Sequence, residues 1–233
     1  MKIAEIRRYP VKSMGGESVE SVDLDPRGLV GDRWFCVVDA EGKLASGKNS
    51  QRFRRYDAIF DYTASMVDDQ AQVVGPSGSW LTGDPELDRV LSEHLGAEVR
   101  VQRETGRPFQ DAGEVSLVGT ASLDWCREHL AVDGDRRRVR PNLVVRTSEP
   151  FVEEGWGGER IRVGGVELTM VECIERCRMV DIAQEGLAAQ PGWLKALGRE
   201  RDLNLGVYAD VARVGGIALG DPVEVLHMKD SSA

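Results

Sequence analysis

The chain of 233 residues is long enough for one large domain or two small ones, and its 41% hydrophobic content is ordinary for a soluble globular protein. A formal net charge of −9 argues against general nucleic-acid binding, which favours a basic chain. No apolar stretch reaches membrane-spanning length, and residues 1–8 lack the apolar centre of a signal peptide. We therefore expect a cytoplasmic protein that binds neither nucleic acid nor a membrane.

The first half of the sequence is predicted to be rich in strands. Asp84 can cap one well-marked helix, Pro85 suits its first turn and Gly96 can end it. A domain boundary near residue 97 gives predicted domains at 1–97 and 98–228, followed by a disordered tail at 229–233. The predicted strands of this half lie at residues 2–6, 21–24, 33–38 and 43–46, with a turn at 39–42.

The second half alternates short strands with two helices. Many short strands with glycine turns and few helices predict a β-rich α+β fold built on closed or nearly closed barrels. The predicted strands lie at residues 98–102, 114–118, 142–146, 205–211 and 222–226, with a further pair flanking Gly164 and Gly165. The predicted helices lie at residues 120–130 and 193–197.

Cys177 is the most informative residue of the chain. It follows a strand-like run at 166–170 and is flanked by Arg176 and Arg178. A cationic neighbourhood favours the thiolate, which is the form of cysteine that ligates soft metals or carries sulfur. Core filling is the structural alternative, and it is the role predicted for Cys36 and Cys126.

Cys173 and Cys177 leave three possibilities open, namely a local disulfide, a metal pair or no joint role. A cytoplasmic location disfavours the disulfide, and the scattered histidines argue against a four-ligand zinc site. A single thiolate can still complete the coordination of a metal whose other sulfurs come from a cofactor. Molybdenum held by an organic dithiolene is a sensible case, because a soft thiolate ligand suits a metal that already has sulfur ligands.

Polar residues at predicted strand ends could hold an anion. Lys12 and Ser13 offer an ammonium and a hydroxyl after the first strand, which suits a phosphate. Arg33 enters an apolar strand, and Arg140 and Asn142 flank a proline that fixes their directions. Each also has a structural alternative, as an ordinary loop residue, salt bridge or strand cap.

Thr120 and Ser122 lie at a predicted junction of strand and helix, where unpaired backbone N–H groups favour anions. Ordinary helix capping explains them equally well. The basic clusters at 52–55 and 136–140 can mark an anionic ligand, although a solvated surface face is the simpler explanation.

Taken together, these segments resemble the MOSC family, in the architecture of the mitochondrial amidoxime-reducing component and its bacterial relatives. The resemblance covers nearly the whole chain. It rests on residues 9–13 (YPVKS), 31–33 (GDR), 140–142 (RPN), 176–177 (RC) and 220–223 (GDPV).

The resemblance implies a MOSC N-terminal β-barrel-like domain before a MOSC β-barrel domain with a few short helices. It implies the molybdenum cofactor (molybdopterin), with Cys177 as the metal ligand and catalytic residue. The cofactor contacts that it implies are Lys12, Ser13, Arg33, Thr120, Ser122, Arg140, Asn142, Arg176 and Tyr208.

The sequence departs from the family pattern at three points. Three residues separate Cys173 from Cys177 where relatives have two, which leaves the role of Cys173 open. Relatives often have Thr-x-Arg where this chain has Ser46-Gly-Lys48, and lysine lacks bidentate recognition. The ferredoxin-like domain of some bacterial relatives is missing, so we expect a separate electron-transfer protein as partner.

Three functions follow as hypotheses. The first is a molybdenum enzyme that reduces small N-oxygenated substrates, such as hydroxylamines, amidoximes or N-hydroxylated bases. The second is a non-redox sulfur carrier, or a protein of cofactor sulfuration and handling, with a persulfide on Cys177. The third is a barrel that has lost its cofactor and serves as a binding module.

Overall fold

The computed structural model describes residues 1–226, which form eighteen strands and four α-helices. The predicted β-rich α+β class is confirmed. The predicted tail at 229–233 and the last residues of the predicted second domain lie outside the described residues.

The first half contains eleven strands and one α-helix. They are β1 Lys2–Arg8, β2 Glu17–Val19, β3 Ser21–Asp25, β4 Gly28–Leu29, β5 Phe35–Asp39, β6 Leu44–Ser46, β7 Phe53–Arg55, β8 Thr63–Val67, β9 Gln70–Gly75, β10 Gly78–Leu81, α1 Pro85–Leu95 and β11 Val99–Arg103.

The described part of the second half contains seven strands and three α-helices. They are β12 Val115–Gly119, α2 Thr120–His129, α3 Arg136–Val139, β13 Leu143–Arg146, β14 Arg160–Val163, β15 Val166–Glu175, α4 Trp193–Arg201, β16 Asn204–Arg213, β17 Gly215–Ala218 and β18 Val223–Leu226.

The predicted elements are all present, with ends that differ by a few residues. The Asp84 side chain accepts a hydrogen bond from the Glu86 amide at 2.9 Å, and Gly96 ends α1 in the left-handed conformation. Cys36 and Cys126 are fully buried, as predicted for core residues. The structure adds β2, β4, β7, the small β8–β10 sheet, α3 and β17, which the sequence pattern did not predict.

The largest sheet has eight strands in the order β18-β14-β15-β16-β12-β13-β1-β2. A bridge between Lys2 and Pro222 joins β1 to the residues just before β18, and the Ile3 amide donates to the Asp221 carbonyl at 2.9 Å. The strands from β18 round to β1 therefore close into a barrel. Apolar side chains such as Leu117 and Leu168 fill one core cluster of this part of the chain.

The two halves are interleaved through their strands. β1 pairs with β13, and β3 pairs with β17, so the start of the chain contributes to the second half. β11 pairs with β5 over five residue pairs, which places it with the first half. The predicted second domain begins at residue 98, which separates β11 from the sheet to which it belongs. The sequence pattern could not place β11 with β5, because the two strands are far apart in sequence.

A second core cluster lies in the first half, around Phe35, Phe60 and Leu87. Ile182, from the second half, belongs to the same cluster, so the two halves share packing as well as strands. In the part of the chain that the structure describes, no helix has both the length and the apolarity needed to cross a membrane.

Gly28 lies where β3–β4 packs against the residue preceding β12, and it should tolerate no side chain. Its φ is +107°, and an added Cβ would lie 2.2 Å from the Glu114 carbonyl oxygen. We expect Gly28→Ala to lower the free energy of unfolding by about 3 kcal/mol or more, measured by urea denaturation. Gly42→Ala is the matched control, because its φ is +79° but nothing lies within 4 Å. It should cost about 1 kcal/mol, and equal losses in the two variants would contradict the close approach.

Candidate functional site

A cavity of about 500 Å³ lies between the two halves of the chain. It brings together eight of the ten predicted site residues: Lys12, Ser13, Arg33, Arg140, Asn142, Arg176, Cys177 and Tyr208. Thr120 and Ser122 are not in its walls. Other side chains that line it include Ser46, Lys48, Asp111, Ser116, Arg138, Glu172, Cys173 and Glu175.

Lys12 and Ser13 form one wall, in the loop that follows β1. The Lys12 amide donates to the Phe35 carbonyl at 2.8 Å, which fixes the loop against β5. Its ammonium donates to Phe109 O and Asp111 Oδ1, both at 2.8 Å. Burial lowers the pKa of Lys12, and the Asp111 carboxylate opposes this change. Ser13, with a φ of 70°, donates its hydroxyl to Ala45 O at 3.0 Å.

Asp111 was not singled out from the sequence, because it lies in a stretch of glycine, proline and polar residues that indicates only a connection. In the structure its carboxylate lines the cavity and pairs with the Lys12 ammonium. Burial acts to raise the pKa of Asp111, but Lys12 and Lys48 outweigh it, so the pKa is lowered to about 2.

Arg33 and Asn142 are fixed by a buried hydrogen-bond network. Arg33 pairs with Asp32 and donates to Asn142 Oδ1 at 3.2 Å. The same oxygen accepts from the Ser116 amide and hydroxyl, while Asn142 Nδ2 donates to Arg7 O at 3.3 Å. The Asn142 amide therefore joins β1, β12 and β13 and orients Arg33 at the cavity.

Arg140 carries a hydrogen-bond donor that the described protein residues leave without a partner. It follows α3 with a φ of 51°, it is 8% exposed, and its Nη2 donates to Met14 O at 2.6 Å. Its Nη1 is buried and has no partner within residues 1–226. Burial lowers the pKa of Arg140, with only partial compensation from neighbouring groups. An unpaired buried donor costs about 1–3 kcal/mol, so this geometry favours an anionic ligand in the cavity.

The two arginines beside Cys177 are used to build the wall. Arg176 donates to Leu205 O at 2.8 Å and to Val139 O at 2.6 Å. Arg178 donates to Asp57 at 2.8 Å and to the Gly47 carbonyl, which ties the second half to the first. Cys177 lies between these fixed residues, half-buried, at the start of a 3-10 turn.

Irregular pairing brings both cysteines to the same cavity. The register of β15 against β16 shifts between Met170 and Cys173, and again between Cys173 and Glu175. The alternation of faces is lost there, so residues 172–177 all line the cavity. Cys173 is exposed, Cys177 is half-buried, and both are free thiols. Burial and the carboxylate of Glu154 raise the pKa of the Cys173 thiol.

Tyr208 lies on β16 opposite Ser116 of β12. Its ring packs on Gly113, where an added Cβ would be 2.6 Å from the Tyr208 Cβ. Burial raises the pKa of Tyr208, although Arg176 opposes the change. The hydroxyl therefore keeps its proton at neutral pH.

The structure does not bring Thr120 and Ser122 to the cavity. Thr120 Oγ1 accepts from the Thr147 amide at 3.1 Å, and Ser122 Oγ donates to Glu153 Oε1 at 2.7 Å. Glu153 also accepts from the Gly119 amide at 2.9 Å. A hydrogen-bond acceptor does lie at this helix N-terminus, but it is the buried Glu153 side chain of the chain itself. Neither residue is the N-cap, which is Gly119.

The basic cluster at 136–140 is not simply a surface face. Arg138 and Arg140 are both buried. Arg138 donates to Asp133 at 2.5 Å and to the Ala188 carbonyl at 2.7 Å, so its charge is used within the protein. Within residues 1–226, no group of three or more His, Cys, Asp or Glu side chains is arranged to hold a metal ion.

Comparison with known families identifies the chain. The family model for the MOSC domain matches residues 104–224, and the model for the MOSC N-terminal beta barrel domain matches residues 1–103. The chain therefore belongs to the MOSC family, with the N-terminal barrel domain preceding the MOSC domain, and the sequence-based resemblance is confirmed.

Among curated proteins, the chain is 25% identical to mitochondrial amidoxime-reducing component 1 of Danio rerio, over 95% of this chain and 83% of that protein. It is 22% identical to the molybdenum cofactor sulfurase of Solanum lycopersicum, over 84% of this chain. The match covers only 32% of that sulfurase. The crystal structure of the YUAD protein from Bacillus subtilis shares the fold, with a TM-score of 0.55 and 16% identity over 96% of this chain and 94% of that one.

The Asp111 ion pair should give the protein an acid-sensitive contribution to stability. The pKa of about 2 lies below the ordinary value of 3.8, so the contribution is complete above about pH 4 and is lost as the pH falls towards 2. The Asp111 side chain is 39% exposed, so solvent screening reduces the contribution of the ion pair to stability. We expect Asp111→Asn to lower the free energy of unfolding by about 1 kcal/mol at neutral pH, measured by urea denaturation.

The control is Asp124→Asn, which breaks an exposed helix pair with Arg127. It should change the free energy of unfolding by less than about 0.5 kcal/mol at every pH. The difference in free energy of unfolding between the native protein and the Asp111→Asn variant should become smaller as the pH falls. A difference that widens as the pH falls would contradict the ion pair.

Ser122 should matter for stability and not for anion binding. Its hydroxyl donates to Glu153 and accepts from the Phe151 amide at 2.8 Å. We expect Ser122→Ala to lower the free energy of unfolding by about 1–3 kcal/mol while the binding of inorganic phosphate, measured by calorimetry, stays unchanged. Ser116→Ala is the matched change at a buried serine of the cavity, and it should weaken phosphate binding through Asn142. Loss of phosphate binding in a stable Ser122→Ala protein would contradict this expectation and support the anion contact predicted from the sequence.

Proposed function

We propose that this chain is a molybdenum-cofactor-dependent oxidoreductase that reduces small N-oxygenated compounds, such as hydroxylamines, amidoximes and N-hydroxylated bases. The observation that carries the proposal is the unpaired, buried Nη1 of Arg140 in a cavity that also holds the Cys177 thiol. Similarity along 95% of the chain to a protein named amidoxime-reducing component supports it.

The residues present fit an anionic cofactor that carries sulfur and a metal. Arg140 Nη1 is a ready donor for a phosphate, and Lys48 adds a second positive group to the lining of the same cavity. A volume of about 500 Å³ is within the range of small-molecule and cofactor sites. When bound, the cofactor would supply a metal able to accept the substrate oxygen and pass electrons.

The chain's own residues would hold and orient the reacting groups. Cys177 would provide a thiolate ligand, and the bonds of Arg176 to Leu205 O and Val139 O fix the backbone beside it. Tyr208 keeps its proton, so its hydroxyl can donate a hydrogen bond or a proton to the oxygen that leaves. Reduction of an N-hydroxyl to an N–H releases water and consumes two electrons and two protons. We propose that the electrons come from a separate electron-transfer protein.

Replacement of Cys177 should abolish both metal binding and activity. We expect the native protein, expressed in a host that makes the cofactor, to contain molybdenum and to reduce an N-hydroxylated base. Cys177→Ser should lower the molybdenum content and reduce activity by roughly 100-fold or more, because loss of a direct ligand exceeds the usual effect of a supporting residue. Metal analysis of the purified protein and a reductase assay with a chemical electron donor are the measurements.

Cys173→Ser is the matched control, since it changes a cysteine of the same cavity that the proposal does not use as a ligand. It should retain molybdenum and most of the activity. A native protein without molybdenum, together with a Cys177→Ser variant that behaves like it, would overturn the proposal.

A second candidate function is sulfur transfer, with a persulfide on Cys177. It is favoured by the exposed Cys173 in the same cavity, which could act as a resolving thiol, and by the similarity to molybdenum cofactor sulfurases. Labile sulfur on Cys177, found by mass spectrometry in a protein that holds no molybdenum, would favour this function over reduction.

A further inference from the structure

The cavity is cationic inside and acidic on the exposed stretch of β15. Lys12, Arg33 and Arg140 line it from buried positions or with mostly covered side chains. Glu172 and Glu175 line the same cavity but are exposed. The two signs of charge are therefore separated between the interior and the rim.

The rim carboxylates are not used by the protein itself. Neither Glu172 nor Glu175 has an ion pair or a side-chain hydrogen bond within residues 1–226, in contrast to Asp111 on Lys12. The register shifts of β15 bring both glutamates to the cavity together with Cys173. In a regular strand, residues 172 and 175 would point to opposite faces.

An anionic ligand in the interior would leave the cavity with a net negative charge at its rim. The unpaired Nη1 of Arg140 draws a negative group to the interior, where that group offsets the buried positive charge. The carboxylates of Glu172 and Glu175 then remain as the uncompensated charges that an approaching substrate meets. Charges of one sign at the mouth of a cleft concentrate ligands of the opposite sign.

We propose that Glu172 and Glu175 are specificity-determining residues that favour positively charged substrates, such as N-hydroxyguanidines and other N-hydroxylated bases protonated at neutral pH. Neutral or anionic N-oxygenated compounds are disfavoured. This assignment of substrate class rests on the proposed reductase function.

The charge at the rim can be measured without any activity, through Cys173. Two methanethiosulfonate reagents form the same kind of mixed disulfide with a thiolate and release methanesulfinate, but one carries a trimethylammonium group and the other a sulfonate. Each rate at Cys173, followed by peptide mass spectrometry on the full chain, is divided by the rate of that reagent with 2-mercaptoethanol. We expect a cation-to-anion ratio of about ten at low salt, which falls in high salt.

The double variant Glu172→Gln, Glu175→Gln should bring this ratio close to one. The ratio is the right quantity, because Glu172 also contributes to the raised pKa of the Cys173 thiol, and its loss changes both rates alike. Glu98→Gln is the matched control, an exposed glutamate outside the cavity, and it should leave the ratio unchanged. A native ratio near or below one, or a ratio that the double variant leaves unchanged, would overturn the proposal.

The reductase assay then tests the substrate assignment separately from the reductase function. With the cofactor-loaded protein, the double variant should lower kcat/KM for an N-hydroxyguanidine by roughly tenfold relative to a neutral hydroxamic acid. Equal losses for both substrates would overturn the substrate assignment while the reductase function stands. A normal labelling ratio in a loaded protein that reduces neither substrate would overturn the proposed function, and with it the substrate assignment.

Discussion

The buried ring of Tyr9 holds three arginines, and the architecture of the cavity depends on this contact. The guanidinium carbons of Arg7, Arg33 and Arg140 lie 5.5, 4.6 and 4.4 Å from the ring centroid. They come from β1, from the segment before β5 and from the end of α3. One aromatic ring therefore fixes the positions of three segments that are far apart in sequence.

Three like charges around one buried ring must be compensated. Arg33 pairs with Asp32, and Arg7 pairs with Glu185. Arg140 alone among the three has no ion pair within residues 1–226, and it is also the one with an unpaired Nη1. The protein thus leaves one positive group incompletely compensated, in a place that a ligand can reach. The same arrangement explains why the interior of the cavity is cationic in a chain whose net charge is −9.

Much of the site could be predicted from the sequence, because polar residues at strand ends stand out against apolar runs. Lys12, Arg33 and Arg140 are of this kind, and the structure brings them together. Ser122 lies outside the cavity for a physical reason: the helix N-terminus beside it is filled by Glu153, a residue distant in the chain. Strand patterns alone do not show which distant carboxylate will fill such a position.

The same limit applies to the fold. The strand at Val99–Arg103 was predicted, but its pairing with β5 was not, since the two strands are far apart in sequence and no local pattern encodes such a pairing. Asp111, Glu172 and Glu175 also became visible only with the structure. They reach the cavity through a connecting segment and through register shifts in β15, and neither feature has a recognisable sequence pattern.

The closure of the barrel through β1 has a consequence for synthesis of the protein. β1 and β3 are synthesised well before their partners, which include residues 220–223 and the strand β17. The nascent chain therefore carries unpaired strand edges until those residues have left the ribosome. The cavity walls contributed by residues 12–48 and 172–208 cannot meet until residue 208 has been made, so any cofactor is captured only after that point.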